Sequence, residues 1–171
     1  MASIFRAGEQ DSQLISRIGG ITIVESHGHS APMDVVDKYI SEKFNFDSIQ
    51  KDLGDPQNIY HLINHDNKPA GYSKIILNYG HPDVKMKNVT MLERLYLLKE
   101  YHSLKLGLEL LQFNIEFSKD SDQSGMWLYV WKGNLKAVSF YEKNGFKIIG
   151  SFDFNLTESH SNPNHHMFLE Y

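Results

Sequence analysis

Residues 91–146 read MLERLYLLKEYHSLKLGLELLQFNIEFSKDSDQSGMWLYVWKGNLKAVSFYEKNGF. Side chains alternate through the first part, which predicts a strand over Val89–Leu98. Met91, Glu93, Leu95 and Leu97 fall on one face and Leu92, Arg94, Tyr96 and Leu98 on the other. A glycine-containing turn, His102–Gly107 (HSLKLG), opens a helix over Leu104–Lys119. There Lys105, Glu109, Gln112, Glu116 and Lys119 make one narrow polar stripe, and Leu104, Leu106, Leu108, Leu110, Leu111, Phe113, Ile115 and Phe117 fill the rest. So wide an apolar face has to lie against a sheet. A strand over Met126–Val130 and a second helix follow, the helix capped by Asn134 and stopped by Asn144-Gly145. The crossover through the long helix makes the two strands a parallel pair.

Outward from this stretch, the N-terminal third reads as a short strand, Ser3–Arg6, and three helices. Glu9–Ile23 carries Leu14, Ile15 and Ile18 at helical spacing, and Met33–Phe44 carries Val35, Val36, Tyr39, Ile40 and Phe44 on one stripe. Glu25–Pro32 between them reads as a loop. Asp47–Leu53 is a third helix with Asp47 as its N-cap, halted before Gly54-Asp55-Pro56. Asn58–Ile63 and Ala70–Leu77 form a hairpin around the turn-rich NHDNKP, and HPDVKMK is a polar loop. At the C-terminus, strands Phe146–Phe154 and His166–Tyr171 flank a loop, LTESHSNPNH. The fold class is mixed α/β (α+β): a mainly antiparallel central sheet with helices packed on it and one parallel pair. No linker or repeat divides the chain, so residues 1–171 read as one domain.

Composition narrows the function. The chain has 171 residues, 41% apolar and 22% charged, enough for one core of ordinary globular make-up. A net charge of −4 argues against a broad nucleic-acid surface and suits a cationic small substrate. There is no cysteine, which excludes disulfides, thiolate metal sites and a cysteine nucleophile. No apolar run approaches the ~20 residues that span a bilayer, and MASIFRAGEQ lacks the pattern of a signal peptide. A cytoplasmic enzyme is the expectation, with no membrane partner.

Two parallel strands that each feed a helix can diverge, exposing backbone N–H and C=O groups. An amide-rich pantetheine arm can pair with that edge, and its pyrophosphate then falls at the N-terminus of the next helix, where free N–H groups and the dipole favour anions. Gly107 lets the backbone approach a phosphate closely. The strand and turn RLYLLKEY-HSLKLG, with WLYVWKGNLKAVSFYEKNGF after it, resemble the acetyl-CoA-binding core of the GNAT superfamily of N-acetyltransferases. The second segment matches the family's Asn-x-x-Ala-x-x-Phe-Tyr-x-x-x-Gly-Phe at Asn134, Ala137, Phe140, Tyr141, Gly145 and Phe146. The first departs from (Gln/Arg)-x-x-Gly-x-(Gly/Ala) at His102 and Lys105.

The resemblance implies a GNAT-like fold with helices on both faces and a strand pair that splays to hold coenzyme A. It implies acetyl-CoA as co-substrate and no metal. Cofactor contacts carry over to Leu95, Tyr96 and Leu97 on the strand, to His102, Ser103, Leu104, Lys105, Leu106, Gly107 and Leu108 at the turn, and to Asn134, Ala137 and Tyr141 beyond. A homodimer is common in such enzymes, and no residue here decides for one. Tyr39-Ile40, Phe44-Asn45, Ala70-Gly71-Tyr72, Glu93-Arg94-Leu95-Tyr96 and WLYVW are similar to the PaiA-type polyamine acetyltransferases, which implies a small-molecule amine such as spermidine or spermine as acceptor.

Direct attack of an amine on a thioester needs a proton acceptor, an oxyanion stabiliser and a donor for the thiolate. Tyr141 is the candidate acid; its plainer reading is a core tyrosine. Asn134 is either a pantetheine ligand or an N-cap, and the two roles are compatible. Glu93 is the candidate base, directly or through water; its plainer reading is an ion-pair partner. Leu95 and Leu97 would contribute backbone groups. His27 and His29 lie in a loop, and His160, His165 and His166 surround a turn with no acid beside them, so no metal set is read from them, and a proton relay is the other role open to one of them. Trp127, Tyr129 and Trp131 share one strand face and read as packing first, with the lining of an acceptor pocket as the alternative. Asp34, Asp37 and Glu42 either attract a cationic acceptor or form a solvated helix face. Two other functions fit the pattern: acetylation of a protein N-terminus or lysine, and acyl-CoA binding without catalysis.

Overall fold

A computed structural model describes residues 1–158 and 160–171, with the backbone alone for Leu156. The strands are β1 (Ala2–Arg6), β2 (Asn58–His65), β3 (Lys68–Ile76), β4 (Thr90–Leu97), β5 (Gly125–Trp131), β6 (Lys147–Thr157) and β7 (His160–Glu170). The helices are α1 (Ser12–His27), α2 (Met33–Lys43), α3 (Phe46–Gly54), α4 (Leu106–Asp120) and α5 (Leu135–Lys143). All seven strands form one sheet in the order β1-β2-β3-β4-β5-β7-β6. Every neighbouring pair is antiparallel except β4–β5.

The period-2 alternation sorts the core into two layers. On one face α1, α2 and α3 bring Ile15, Ile18, Val36, Phe44 and Ile49 onto Tyr60, Leu62 and Tyr72. On the other, α4 and α5 bring Leu111 and Tyr141 onto Ile59, Ile75, Leu92 and Leu128, with Leu106 and Leu110 packed beside Ile63 and Ala70. α4 carries two buried polar residues, Ser118 and Asn114, and Asn114 bonds His61 Nδ1 at 2.9 Å and donates to Ser73 Oγ at 2.8 Å. Satisfied in this way, it fixes the helix's register on the sheet.

Several boundaries differ from those the sequence predicts. α1 continues to His27 through a segment expected to be a loop. The cap of α3 is Asn45, whose side chain accepts from Ser48 N at 2.9 Å, rather than Asp47. Asn45 Nδ2 also donates to Ser41 O and Glu42 O, so one residue closes α2 and opens α3. α4 begins at Leu106, after a 3₁₀ turn over Lys99–Leu104, where the reading starts the helix at Leu104. Finally, β6 and β7 are longer than expected and run through most of LTESHSNPNH, of which Ser159 lies outside the described residues. Asn, Pro and His make this segment read as a loop, but cross-strand pairing holds it extended. Pro163 is accommodated because β5 pairs with β7 only as far as Trp131↔Asn164, so no ladder donor is needed there.

The end of α5 is built by its local sequence. Gly145 has φ +89°, Phe146 N–H bonds Tyr141 O at 3.1 Å, and Gly145 N–H bonds Glu142 O at 3.0 Å. This is a Schellman motif, and its accompanying apolar contact is Phe146 against Tyr141, ring centroids 5.5 Å apart. Gly145→Ala forces a Cβ into the left-handed region and is expected to cost roughly 1–2 kcal/mol in urea unfolding.

Candidate active site

β4 and β5 pair at only two positions, Thr90↔Met126 and Met91↔Trp127. Past these, β4 stays bonded to β3 as far as Leu97↔Gly71, and β5 stays bonded to β7 as far as Trp131↔Asn164. Each strand is held on its outer side while the two part from each other. The gap lies between Leu92–Leu97 and Leu128–Trp131, in the middle of the sheet. Leu95, Tyr96 and Leu97 are accordingly only half-buried, although β4 is a central strand. Unpaired backbone in a central strand is a place for an amide-bearing ligand to complete the ladder.

At the mouth of the gap stands the N-terminus of α4. Lys105 is its N-cap, in the left-handed conformation at φ 60°, ψ 10°. A glycine adopts this conformation without steric cost, which is why the family's motif has one at this position. Leu108 and Glu109 N–H bond back to Lys105 O, while Leu106 and Gly107 N–H make no backbone hydrogen bond among the described residues. Those two donors, with the helix dipole behind them, favour an anion. A Cβ on Gly107 would come within 3.2 Å of Leu97 Cδ1, so the glycine keeps the helix close to β4. His102, Ser103, Leu104 and Lys105 are exposed, and His102 Nε2–H donates to Leu97 O at 3.0 Å, tying the turn to the strand end.

On the β5 side, Asn134 caps α5 by accepting from Ala137 N at 3.2 Å, which leaves its amide NH₂ without a partner among the described residues. Both readings of Asn134 are therefore open to it at once. Tyr141 is 9% exposed and packs in the layer with Leu128, Val130 and Phe146. Its hydroxyl bonds nothing among the described residues, and burial pushes its pKa well above the ordinary phenol value. At neutral pH it is a protonated donor.

Glu93 is not on the face of Leu95 and Leu97. The β3–β4 register slips, with Lys74 opposite Arg94 and Ile75 opposite Leu92, so Glu93 is the extra residue of a β-bulge. Its carboxylate reaches the α1–α3 face, 2.7 Å from Lys74 Nζ and 3.6 Å from Arg94 Nε. Lys74 Nζ is also 2.8 Å from Asp52 Oδ2. Arg94 donates to the Tyr60 hydroxyl oxygen at 3.1 Å, and that hydroxyl in turn donates to Asp52. Two carboxylates and two cations balance within this network. Tyr39, Tyr72 and Tyr96 stand around it, their hydroxyl pKa values raised by burial. Neither Lys74 nor Asp52 belongs to a motif in the sequence. A lysine inside the apolar run Ala70–Leu77 was the available signal, since a buried cation needs a partner.

Residues 24–146 match the sequence profile of the acetyltransferase (GNAT) family. This chain is a member of that family. It is 25% identical over 142 residues to an uncharacterized N-acetyltransferase from Lactobacillus delbrueckii subsp. lactis, covering 83% of this chain and 82% of the relative. It is 33% identical over 110 residues to one from Mycobacterium bovis, covering 64% and 66%. Among solved structures, a PaiA N-acetyltransferase from Thermoplasma acidophilum in complex with coenzyme A superposes with a TM-score of 0.80 at 20% identity, covering 100% of this chain and 99% of that one. A ribosomal-protein alanine N-acetyltransferase from Escherichia coli superposes with a TM-score of 0.71 at 18% identity, covering 99% and 94%. As a GNAT enzyme, the protein is an acetyl-CoA-dependent acyltransferase.

The remaining expected residues take plainer places in this GNAT domain. Trp127 and Tyr129 share a face of β5, their rings 5.3 Å apart, and Trp131 meets His27 at 5.6 Å. Asp34, Asp37 and Glu42 are exposed on α2, with Glu42 4.0 Å from Lys38. Theirs is a solvated helix face. Among the described residues, no helix is long and apolar enough to cross a membrane.

Proposed function

We propose that this GNAT enzyme acetylates a small primary amine, with a polyamine as the leading acceptor, and that residues 1–171 act as one cytoplasmic domain. The parting of β4 from β5 beside the free N–H groups of Leu106 and Gly107 carries the reading. In it, Leu95, Tyr96 and Leu97 offer backbone groups to a pantetheine arm. The turn His102–Leu108 receives the pyrophosphate, and Asn134 NH₂ and Ala137 line the other side.

The acceptor enters from the opposite, α1–α3 face. There Glu93 offers a carboxylate, while Tyr39, Phe44 and Tyr96 offer aromatic surface that suits a cationic amine. The bulge at Glu93 supports this division, because it turns the carboxylate to the side away from α4. Glu93 takes the proton of the attacking amine, directly or through a water, as the N–C bond forms. A backbone N–H of β4 steadies the thioester oxygen. Tyr141 donates to the sulfur as the C–S bond breaks, which releases the thiol of coenzyme A and the acetamide.

A panel of amines scored by thiol release tests the acceptor. Spermidine and spermine are expected to give the highest kcat/KM. A peptide N-terminus or lysine as the best acceptor would overturn the polyamine reading. Thermal stabilisation by acetyl-CoA with no thiol release for any amine would reduce the protein to a binding module.

A further inference from the structure

We propose that His81, Asp83 and His166 form a binding site for a divalent transition-metal ion of the Zn²⁺ type, outside the acyl-transfer chemistry. His81 and Asp83 lie in the segment 77–89 between β3 and β4, and His166 lies in β7 opposite Tyr129 of β5. One ligand atom from each residue lies within 4.8 Å of the other two. Asp83 Oδ2 is 3.7 Å from His81 Nδ1 and 3.6 Å from His166 Nδ1. These separations are too long for hydrogen bonds. They are close to the ~3.3 Å between ligand atoms around a tetrahedral ion with bonds of about 2.0–2.1 Å.

The second observation is His166 itself. Its side chain is 1% exposed, yet neither ring nitrogen has a hydrogen-bond partner among the described residues. A buried imidazole without partners is costly, and coordination would satisfy it.

The surroundings fit the same role. Asp83 N–H donates to His81 Nδ1 at 3.2 Å, so that nitrogen carries the lone pair, and an ion would take the lone pair in place of this bond. His81 Nε2–H is then the donor to the Tyr129 hydroxyl oxygen at 2.6 Å, the outer bond that usually orients a metal-bound histidine. Gly150 adjoins the cluster, and a Cβ there would stand 3.6 Å from Asp83 Oδ2. Asp83 is 60% exposed and gives an ion its way in. Two imidazoles and one carboxylate select zinc-like ions over Mg²⁺ or Ca²⁺, and three protein ligands leave the fourth position to water. Bound there, the ion would fasten segment 77–89 to β7. That segment packs Val84 and Val89 on Trp127, whose Nε1 donates to Tyr79 O at 2.7 Å.

The sequence did not reveal this set because its acid sits far along the chain from His166. The test uses the full chain stripped with a chelator and titrated with ZnCl₂, followed by metal analysis and by the visible absorption of Co²⁺ as a geometric reporter. One ion per chain, tetrahedral Co²⁺ bands and a Tm rise with Zn²⁺ but not Mg²⁺ are expected. Asp83→Asn changes an exposed side chain, so its fold is secure, and it is expected to weaken Zn²⁺ at least tenfold; His81→Gln should do the same. Failure to bind one Zn²⁺ per chain, or unchanged affinity in both variants, would overturn the site.

Discussion

Tyr141→Phe is expected to lower kcat by roughly 10²-fold or more while leaving the affinity for acetyl-CoA within about threefold. The substitution deletes only an oxygen. That oxygen bonds nothing among the described residues, so the fold should lose no more than about 0.5 kcal/mol. The loss therefore reports on chemistry. The pH profile gives a second check. Burial raises the pKa of Tyr141, so the phenol stays protonated as pH rises through the ordinary phenol value near 10. Wild-type kcat should show no fall from tyrosine ionisation up to about pH 10. A Tyr141→Phe enzyme with intact turnover across that range would remove Tyr141 from the role of acid.

Lys74→Met is expected to destabilise the protein by about 3 kcal/mol, read as a lowered urea midpoint. Lys74 is 4% exposed and is the nearest cation to both Asp52 and Glu93. Methionine keeps most of the volume but leaves the two carboxylates facing each other. Their side chains are 26% and 30% exposed, and water reaching them keeps the cost at the lower end for a broken buried pair. In a Glu93→Gln background the same substitution should cost less, and the difference, on the order of 1 kcal/mol or more, measures the coupling. A change below about 1 kcal/mol for Lys74→Met alone would show that the network does not hold α3 to the sheet.

The parts of this site that sequence reveals are those built by neighbours in the chain. The cap at Asn134 and the stop at Gly145 are both local hydrogen-bonding patterns, and the Phe146 contact that accompanies the stop holds Tyr141 in place. The parallel crossover over β4, α4 and β5 is equally legible, because the apolar width of α4 demands a sheet beneath it. Alternation puts Glu93 on the wrong face because it counts residues, and a bulge adds one that only the partner strand reveals. Asp47 and Asn45 are both good caps by type. Asn45 wins because its amide also reaches the last carbonyls of α2, a contact between two helices that no single-helix pattern contains. The β6–β7 hairpin was obscured by Asn, Pro and His, whose turn preferences yield to pairing across the sheet. Lys105 shows the converse: its backbone takes the left-handed form that the turn requires, although the residue type argues against it.

Amide hydrogen exchange with and without saturating acetyl-CoA tests most directly whether the β4–β5 gap is the cofactor site. Added protection is expected at Leu106 and Gly107 and along Leu95–Leu97, with little change in β1, β2 and α3. Unchanged exchange at Leu106, Gly107 and Leu95–Leu97 under saturating acetyl-CoA would contradict it.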